Sequence, residues 1–505
     1  MPLFEILYGF LAAWLALYGF NSLLLTALYL WKRNHLPETP RWNKPWPVVT
    51  VQLPIRNELH VVERLIAAVS NLDYPREALQ IQVLDDSTDE TQAVARQLVS
   101  RYARVGVDIQ YLHRTHRTGF KAGALARGLE RARGEWIAVF DADFVPPRDF
   151  LRRLVPHFVA PDVGCVQARW DHLNRCYSPL TRAQALGVDA HFVVEQRARS
   201  QAGLFLNFNG SAGLWRRACI EDAGGWQHDT VTEDLDLSYR AQLAGWRILY
   251  RPDVLAPGEL PPQFDALRRQ QARWAQGSIQ VARKLLPQLL RSEQPWWVRV
   301  EGAIHLTGYM VHPLLVATLL LTLPVLQGTG SISLLLPYVL LATIGPPLMS
   351  VVAQSEHGSR WWRELRFLPL LMLIGMGLAL SNTIAMLRGL LVREIVFQRT
   401  PKFAVREGTA SWQQSTYALR GSSLIWPELL LAALSSMLAV SAFRQTTSSL
   451  GCWLAIYALG YSCVAGLSLV QAAQAWQAQI VKEPAGSWLQ LVLSWRGAVR
   501  GEEGD

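Results

Sequence analysis

Long stretches without any charged side chain constrain this chain more than any other feature of its sequence. Residues 6–31 and residues 302–355 contain no Asp, Glu, Lys or Arg. About 20 helical residues cross the hydrocarbon core of a bilayer. The first stretch therefore suits one membrane span, and the second suits two spans joined by the turn-forming segment 327–331. Two more spans fit residues 424–443 and 450–472, so we predict five spans in a lipid bilayer.

The N-terminal span is predicted to be an anchor (residues 1–34) rather than a cleaved signal peptide. Its apolar run is too long for a signal peptide, and it begins with Glu5 instead of basic residues. Lys32 and Arg33 follow the span and place that end on the cytoplasmic side. This predicts an N-terminus outside and a C-terminal tail (residues 473–505) inside, at the plasma membrane if the source is bacterial.

The uncharged segment 367–387 is more ambiguous, because glycines and a proline interrupt it and basic residues flank both of its ends. These flanking residues are Arg360, Arg363 and Arg366 on one side and Arg388, Arg393, Arg399 and Lys402 on the other. Positive charge marks the cytoplasmic side of a span. We therefore predict a re-entrant or interfacial helix over 367–392, with a sixth true span as the alternative.

Between the first span and residue 301, strand and helix patterns alternate. Strands are predicted at Val48–Leu53, Gln80–Leu84, Ile109–Leu112 and Trp136–Phe140, with helices at Leu59–Asn71, Asp89–Tyr102 and Lys121–Arg133. This alternation predicts an α/β domain with a mostly parallel sheet. Ligands of such sheets bind outside the carboxyl ends of the strands.

Two acidic pairs follow predicted strands at that edge. Asp85 and Asp86 end the second strand, and Asp141 and Asp143 follow the fourth. Paired carboxylates can hold a hard divalent cation that bridges a diphosphate. Each aspartate alone could simply cap a turn or a helix. Two pairs at one edge of a sheet favour a functional site.

Two further motifs lie downstream. Thr232-Glu233-Asp234 precedes a predicted helix, where such a sequence is also a common N-terminal cap. The segment Gln270–Trp274 follows a basic helical stretch, for which an amphipathic helix on the membrane surface is the alternative interpretation. Both can hold, since one face could rest on lipid while another faces the site. In that alternative the arginines facing lipid phosphates would be Arg268, Arg269, Arg273 and Arg283.

Taken together, these motifs resemble the processive family 2 glycosyltransferases of the cellulose synthase superfamily, and most closely the cellulose-synthase-like A mannan and glucomannan synthases. The resemblance rests on residues 81–89, 121–125, 140–144, 166–170, 208–210, 224–226 and 270–274. It implies a cytoplasmic GT-A domain, a Rossmann-like nucleotide-diphospho-sugar transferase fold, over 46–295. An α-helical transmembrane region follows over 301–472.

The resemblance also implies roles for individual residues. The expected catalytic group is Asp234 as the base, Asp143 with Asp141 as ligands of Mg²⁺ or Mn²⁺, and Gln270, Arg273 and Trp274 at the acceptor end. The expected substrate-binding residues are Pro54, Asn57, Glu58, Asp85, Asp86, Lys121 and Asp141 for the donor, and Phe208, Asn209 and Gly210 beside the acceptor. Segment 393–422 resembles a gating loop, with Thr400 and Lys402 near the diphosphate. On composition alone it is a solvated basic loop.

The implied reaction is inverting transfer of a hexose from GDP-mannose or UDP-glucose to a β-1,4-linked mannan, glucomannan or glucan, together with export of the polymer. Arg56 stands where the family usually has Tyr near the nucleobase pocket, so the choice between uridine and guanosine in the donor stays open. The alternative acceptor is a lipid, ceramide or diacylglycerol. A transporter with a regulatory domain is disfavoured, because the predicted spans of this chain lack the paired acidic and basic residues that ion coupling needs.

The composition is consistent with this interpretation. The formal net charge of +9 could indicate nucleic acid, but much of it flanks the predicted spans and no nucleic-acid motif is present. The five cysteines form no metal-ligand pattern and no disulfide framework.

Overall fold

The computed structural model describes residues 2–34, 38–327, 336–392, 397, 399–405, 412–445 and 448–480. Its strands are β1 (Val49–Ile55), β2 (Leu79–Asp85), β3 (Ile109–His113), β4 (Trp136–Val139), β5 (Val163–His172), β6 (Gly213–Arg216) and β7 (Arg247–Gly258). The four predicted strands are thus confirmed, and β5 to β7 are additions.

The helices of the α/β part are α2 (Val62–Ser70), α3 (Thr91–Arg104), α4 (Phe120–Glu130), α5 (Phe150–Leu154), α6 (Pro179–Asp189), α7 (Gln196–Ala202), α8 (Arg217–Asp222) and α9 (Glu233–Leu243). The other helices are α1 (Pro2–Lys32), α10 (Phe264–Arg291), α11 (Trp296–Leu306), α12 (Val311–Leu326), α13 (Leu336–Ser355), α14 (Leu368–Gly377), α15 (Ala379–Leu391), α16 (Ile425–Arg444) and α17 (Ser448–Ile480).

The strands form one seven-stranded sheet in the order β3-β2-β1-β4-β6-β5-β7. The first four are parallel, as predicted, and β5 and β7 are also parallel to each other. Strand β6 is antiparallel to both of its neighbours, which makes the sheet mixed. The carboxyl ends of β1, β2 and β4 therefore meet at one edge, as the sequence predicted.

The central strands β1 and β2 are buried on both faces, and yet both contain polar residues. Every residue of β2 is buried, including two glutamines. Thr50 Oγ1 donates to Gln80 Oε1 at 2.7 Å, and Gln52 Nε2 donates to Gln82 Oε1 at 3.1 Å. Because buried polar groups are costly without partners, these cross-strand bonds make such residues tolerable in the middle of the sheet.

Four described helices are long and apolar enough to cross a membrane: Leu3–Lys32, Gly308–Leu326, Ile425–Arg444 and Ser448–Ala478. Helix α13 is another uncharged helix of 20 residues, although its first five side chains lie outside the described part. Most of the predicted turn 327–331 and the tail from residue 481 also lie outside the described residues. Which ends face the cytoplasm stays a prediction.

The ambiguous segment 367–392 folds as two helices rather than one. Helices α14 and α15 are separated at Leu378, and the helical segments Trp361–Gly377 and Ala379–Leu391 are bent by 42°. A broken span and a re-entrant loop both have this shape, so the predicted re-entrant or interfacial path stays a prediction.

Helix α1 packs closely on α13. A Cβ atom on Gly19 would overlap the Leu341 carbonyl oxygen, and one on Gly345 would overlap the carbonyl oxygen of Gly19. Small residues at such helix crossings allow two backbones to approach closely. Leu25 and Tyr29 of α1 also share a buried cluster with Tyr239 of α9 and Leu285 of α10. The α/β part and the apolar helices thus share this buried cluster.

Candidate active site

A deep cleft lies at the carboxyl edge of β1, β2 and β4, where the acidic pairs were predicted to meet. Loops after these strands, the start of α9, the first half of α10, Phe397 and residues 399–402 form its walls. The predicted site residues in its lining are Pro54, Glu58, Asp86, Lys121, Asp141, Asp143, Asn209, Gly210, Asp234, Gln270, Arg273, Trp274, Thr400 and Lys402.

Asn57, Asp85 and Phe208 were predicted to bind substrate, but they lie outside that lining. Asp85 is fully buried, where it accepts hydrogen bonds from Tyr111 Oη at 2.5 Å and from the Ser87 N–H at 2.8 Å. Phe208 is also fully buried and packs edge-to-face on Trp215.

Asn57 shapes the loop after β1. Its backbone has a φ of 51°, in the left-handed region that Asn tolerates better than most residues. Its side chain accepts a hydrogen bond from the Thr88 N–H at 2.8 Å, and its own N–H donates to Ser87 Oγ at 2.8 Å. Asn57 therefore joins the loops that follow β1 and β2.

Asp86 is the member of its pair that borders the cleft, and Arg114 holds it in place. Arg114 Nε donates to one oxygen of Asp86 at 2.7 Å, and Nη2 donates to the other. The same guanidinium reaches the carbonyl oxygen of Phe120 at 2.8 Å. Such bidentate pairs fix both direction and charge. Arg114 was not predicted, because nothing local in the sequence marks it as a partner of Asp86.

Each of the two aspartates after β4 is paired with a lysine. Lys121 Nζ lies 2.7 Å from Asp141 Oδ1, and Lys402 Nζ lies 2.7 Å from Asp143 Oδ1. Burial opposes ionisation of Asp141, but Lys121 and then Lys402 outweigh burial and hold its pKa below the usual value. Asp141 is therefore kept ionised inside the cleft.

This donor set fits a divalent cation that is shared with a diphosphate. The described residues contain no cluster of three or more His, Cys, Asp or Glu side chains able to hold a metal ion by themselves. Mg²⁺ is typically bound by one or two carboxylates, with substrate phosphates and water completing the octahedron. Asp141 and Asp143 could supply the protein's share of such a site.

Asp234 lies in the first turn of α9 and has an unusual environment. Its Oδ1 accepts the Leu235 N–H at 2.9 Å. Burial and the neighbouring charge of Glu233 raise its pKa to about 7, against the opposing effects of Lys121, this hydrogen bond and Arg273. A carboxylate with a pKa near neutrality is suited to accept a proton at physiological pH.

Gly210 lies against this carboxylate. Its φ is +80°, and a Cβ atom there would stand 2.7 Å from Asp234 Oδ2. Its carbonyl oxygen accepts a hydrogen bond from Lys121 Nζ at 2.9 Å. Only glycine combines this backbone conformation with such a close approach, so the Phe-Asn-Gly segment is held directly beside the candidate base.

Helix α10 carries Gln270, Arg273 and Trp274 into the cleft. The alternative, in which its arginines face lipid phosphates, is wrong for two of them. Arg268 is buried, with its Nη2 2.9 Å from Glu428 Oε2 in the apolar helix α16. Arg273 lines the cleft and packs over the ring of Phe397. Helix α10 therefore joins the site to α16.

The described part of the predicted gating segment closes one side of the cleft. Arg399 Nε lies 3.3 Å from Glu58 Oε1, and Lys402 reaches Glu58 and Asp143 together. The ring of Phe397 stacks on Phe120 with centroids 5.8 Å apart. Residues 393–396, 398 and 406–411 of this segment lie outside the described residues.

Two residues that hold this segment were missed from the sequence. Glu259, after β7, accepts the Phe403 N–H at 2.9 Å and pairs with Arg64 of α2 at 3.0 Å. Glu259 follows a strand end, which is the one signal that could have identified it.

Residues 47–277 match the family model described as "Glycosyltransferase like family 2", and this part of the chain is a family 2 glycosyltransferase domain.

The curated relatives confirm the resemblance to cellulose-synthase-like A proteins. The chain is 44% identical over 264 residues to glucomannan 4-beta-mannosyltransferase 2 of Arabidopsis thaliana, covering 50% of this chain and 49% of that protein. It is 43% identical over 265 residues to glucomannan 4-beta-mannosyltransferase 1 of Oryza sativa subsp. japonica, covering 52% and 50%. The chain thus spans about half the length of these relatives.

Among solved structures, the chain is similar to mannosyltransferase PcManGT from Pyrobaculum calidifontis, determined in complex with GDP-Man and Mn²⁺. The TM-score is 0.51 and the identity 23%, and the match covers 77% of this chain and 100% of that one. At this identity the likeness supports the fold. The α/β domain is a GT-A domain, as predicted, accompanied by helices apolar enough to span a membrane.

Proposed function

We propose that this protein is a membrane-integrated inverting mannosyltransferase that extends a β-1,4-linked mannan or glucomannan from GDP-mannose. The observation that carries the proposal is Asp234, a partly buried carboxylate with a pKa of about 7 that faces the same cleft as the Asp141–Asp143 pair. The 44% and 43% identities to glucomannan mannosyltransferases support the sugar.

In the proposed reaction Asp234 takes the proton from an acceptor hydroxyl. The hydroxyl oxygen then forms a bond to the anomeric carbon of the donor while the bond from that carbon to the diphosphate breaks. One displacement inverts the configuration, so an α-linked donor gives a β-linked product. The raised pKa of Asp234 suits this step, because a base works best when its pKa lies near the working pH.

Other residues of the cleft would hold the donor. A bound Mg²⁺ or Mn²⁺, held by Asp141 and Asp143, would neutralise charge on the departing diphosphate. Lys121 and Lys402 form ion pairs with these carboxylates and would add positive charge beside the diphosphate. Asp86 would orient the nucleoside, and Trp274 offers an apolar face on which a sugar ring could pack.

We propose that the site faces the cytoplasm and that the apolar helices export the growing polymer. The basic residues after the first span support this orientation. The short distance between the site and the apolar helices supports export. Helix α10 carries residues of the cleft, and its Arg268 forms a buried ion pair with Glu428 of α16.

The test is a donor and product screen on the purified protein in lipid nanodiscs. GDP-[¹⁴C]mannose and UDP-[¹⁴C]glucose are compared with Mg²⁺ and with Mn²⁺. We expect label from GDP-mannose in a polymer that an endo-β-mannanase degrades. Label that extracts entirely into chloroform would instead support a lipid acceptor, and preferential use of UDP-glucose would refute the proposed donor.

A further inference from the structure

The residue beside Gly210 has an unusually well-defined side chain. Asn209 lines the cleft, and its side-chain amide is held at both ends. Gln196 Nε2 donates to Asn209 Oδ1 at 2.7 Å, and Asn209 Nδ2 lies 3.0 Å from His191 Nε2. Its backbone N–H donates to Gln167 Oε1 at 3.1 Å. The amide therefore has one preferred orientation.

The surrounding hydrogen bonds decide which end of the amide is which. Gln196 is fully buried, and its Nε2 also lies 2.9 Å from the Asn207 carbonyl oxygen, which can only accept. Gln196 must therefore present its NH₂ group, and Asn209 must present its oxygen to Gln196. The NH₂ of Asn209 then points to His191, whose Nε2 has to accept.

Glu195 supplies the other half of the arrangement. Glu195 Oε2 lies 2.9 Å from His191 Nδ1, so the ring carries its proton on Nδ1 and leaves Nε2 free to accept. Both residues lie in a π-helical turn, Ala190–Glu195. Such turns are rare and occur frequently at functional sites. Beyond these bonds Asn209 retains one N–H and one oxygen lone pair.

We propose that His191 is a positioning residue for the acceptor. Together with Gln196 it fixes the Asn209 amide so that its remaining N–H and lone pair bind a hydroxyl of the acceptor sugar next to Asp234. The closeness of Gly210 to Asp234 Oδ2 places this contact within one residue of the base. The inference rests on the proposed function, because it needs a sugar acceptor in this cleft.

The experiment compares two amide substitutions of His191. In His191→Gln the terminal amide reaches the position of Nε2 and keeps an acceptor for Asn209. In His191→Asn the shorter amide reaches only the position of Nδ1, which keeps the contact with Glu195 and loses Asn209. Initial rates are measured with GDP-mannose while a manno-oligosaccharide acceptor is varied, and then the reverse.

For His191→Asn we expect the acceptor KM to rise about 3- to 10-fold, the range of one lost hydrogen bond. The donor KM should stay within about twofold of the wild type, since the Asn209 side chain bonds to Gln196 and His191 and not to the residues assigned to the diphosphate. For His191→Gln we expect the acceptor KM to return to within about twofold of the wild type. Binding of GDP alone, measured by calorimetry, checks that both variants are folded.

The matched control is His157→Ala, which removes a buried imidazole that lies outside the cleft lining. It should leave both KM values unchanged. An acceptor KM that is unchanged in His191→Asn, or one that rises equally in both His191 variants, would overturn the inference. Wild-type protein that transfers no mannose would instead refute the proposed function, and this inference with it.

Discussion

Replacing the candidate base by its amide, Asp234→Asn, should abolish transfer while leaving the site intact. Asn has the same shape as Asp, so the close contact with Gly210 is preserved, and its oxygen can still accept the Leu235 N–H. A positioned base contributes typically about 10²- to 10⁴-fold to the rate. We therefore expect kcat to fall by about that factor with little change in the donor KM.

The pH dependence of the wild-type enzyme gives a sharper test. With a pKa of about 7, roughly one tenth of Asp234 is ionised at pH 6 and roughly nine tenths at pH 8. Because the base acts in its ionised form, kcat/KM for the donor should rise by about tenfold over this range. Glu233→Gln removes the neighbouring negative charge, which should shift this limb to lower pH.

The contribution of Asp234 to the free energy of unfolding should fall as pH rises, whereas the activity should increase. A carboxyl group whose folded pKa is raised keeps its proton in the folded state longer than in the unfolded state. Its contribution to stability is present below its ordinary pKa of 3.8 and is lost as pH rises through 7. Asn carries no charge to bury, so Asp234→Asn should raise Tm relative to the wild type more at pH 8 than at pH 4.

The control is Asp229→Asn, an exposed aspartate whose Oδ1 lies 2.8 Å from Lys284. Exposed ion pairs contribute little to stability, so its rate and Tm should match the wild type. The assignment of Asp234 as the base would be refuted if Asp234→Asn retained a tenth or more of the wild-type rate. A wild-type kcat/KM that is flat between pH 6 and 8 would refute the raised pKa.

Three further predictions follow from the cleft and its attachment. Gly210→Ala should abolish transfer and lower Tm, because the new Cβ would meet Asp234 in a backbone conformation that favours glycine; a variant with normal kcat contradicts this. Chelation with EDTA should stop transfer, and Asp143→Asn should raise the Mn²⁺ concentration needed for half-maximal rate; activity that resists EDTA would exclude a required metal. Arg268→Leu should destabilise the protein by about 3–5 kcal/mol, since it leaves Glu428 buried without its cation; thermal unfolding in nanodiscs measures this, and the double variant with Glu428→Leu should recover much of the loss.

Sequence patterns were sufficient to predict strands β1 to β4, but they did not predict β5, β6 and β7 on the other side of the sheet. Strands β1, β2 and β4 are rich in apolar and β-branched residues, as buried strands are. Strand β5 mixes small, charged and aromatic residues and is only partly buried in its second half, and β6 has just four residues. Such segments pair because of neighbours that are distant in sequence, and local periodicity does not reveal them.

The candidate site shows the same division. The aspartates were predictable because they follow strands whose ends meet. That Asp86 faces the cleft and Asp85 does not follows from the alternation of side chains along a strand. The counter-charges were not predictable. Glu58 and Arg399 are 341 residues apart in sequence, and their contact depends on the whole fold.

Polar links from α6 and α10 to helices α13, α16 and α17 mean that the glycosyltransferase domain is not a detachable part. Ser468 Oγ of α17 donates to Asp265 of α10 at 2.9 Å, and Gln354 of α13 donates to Asp189 of α6 at 2.8 Å. Excising residues 47–277 would leave Asp189 and Asp265 without these partners, and Arg268 without Glu428 of α16. Exchanging this domain between related glycosyltransferases should therefore succeed only when the partner positions in α13, α16 and α17 are exchanged with it.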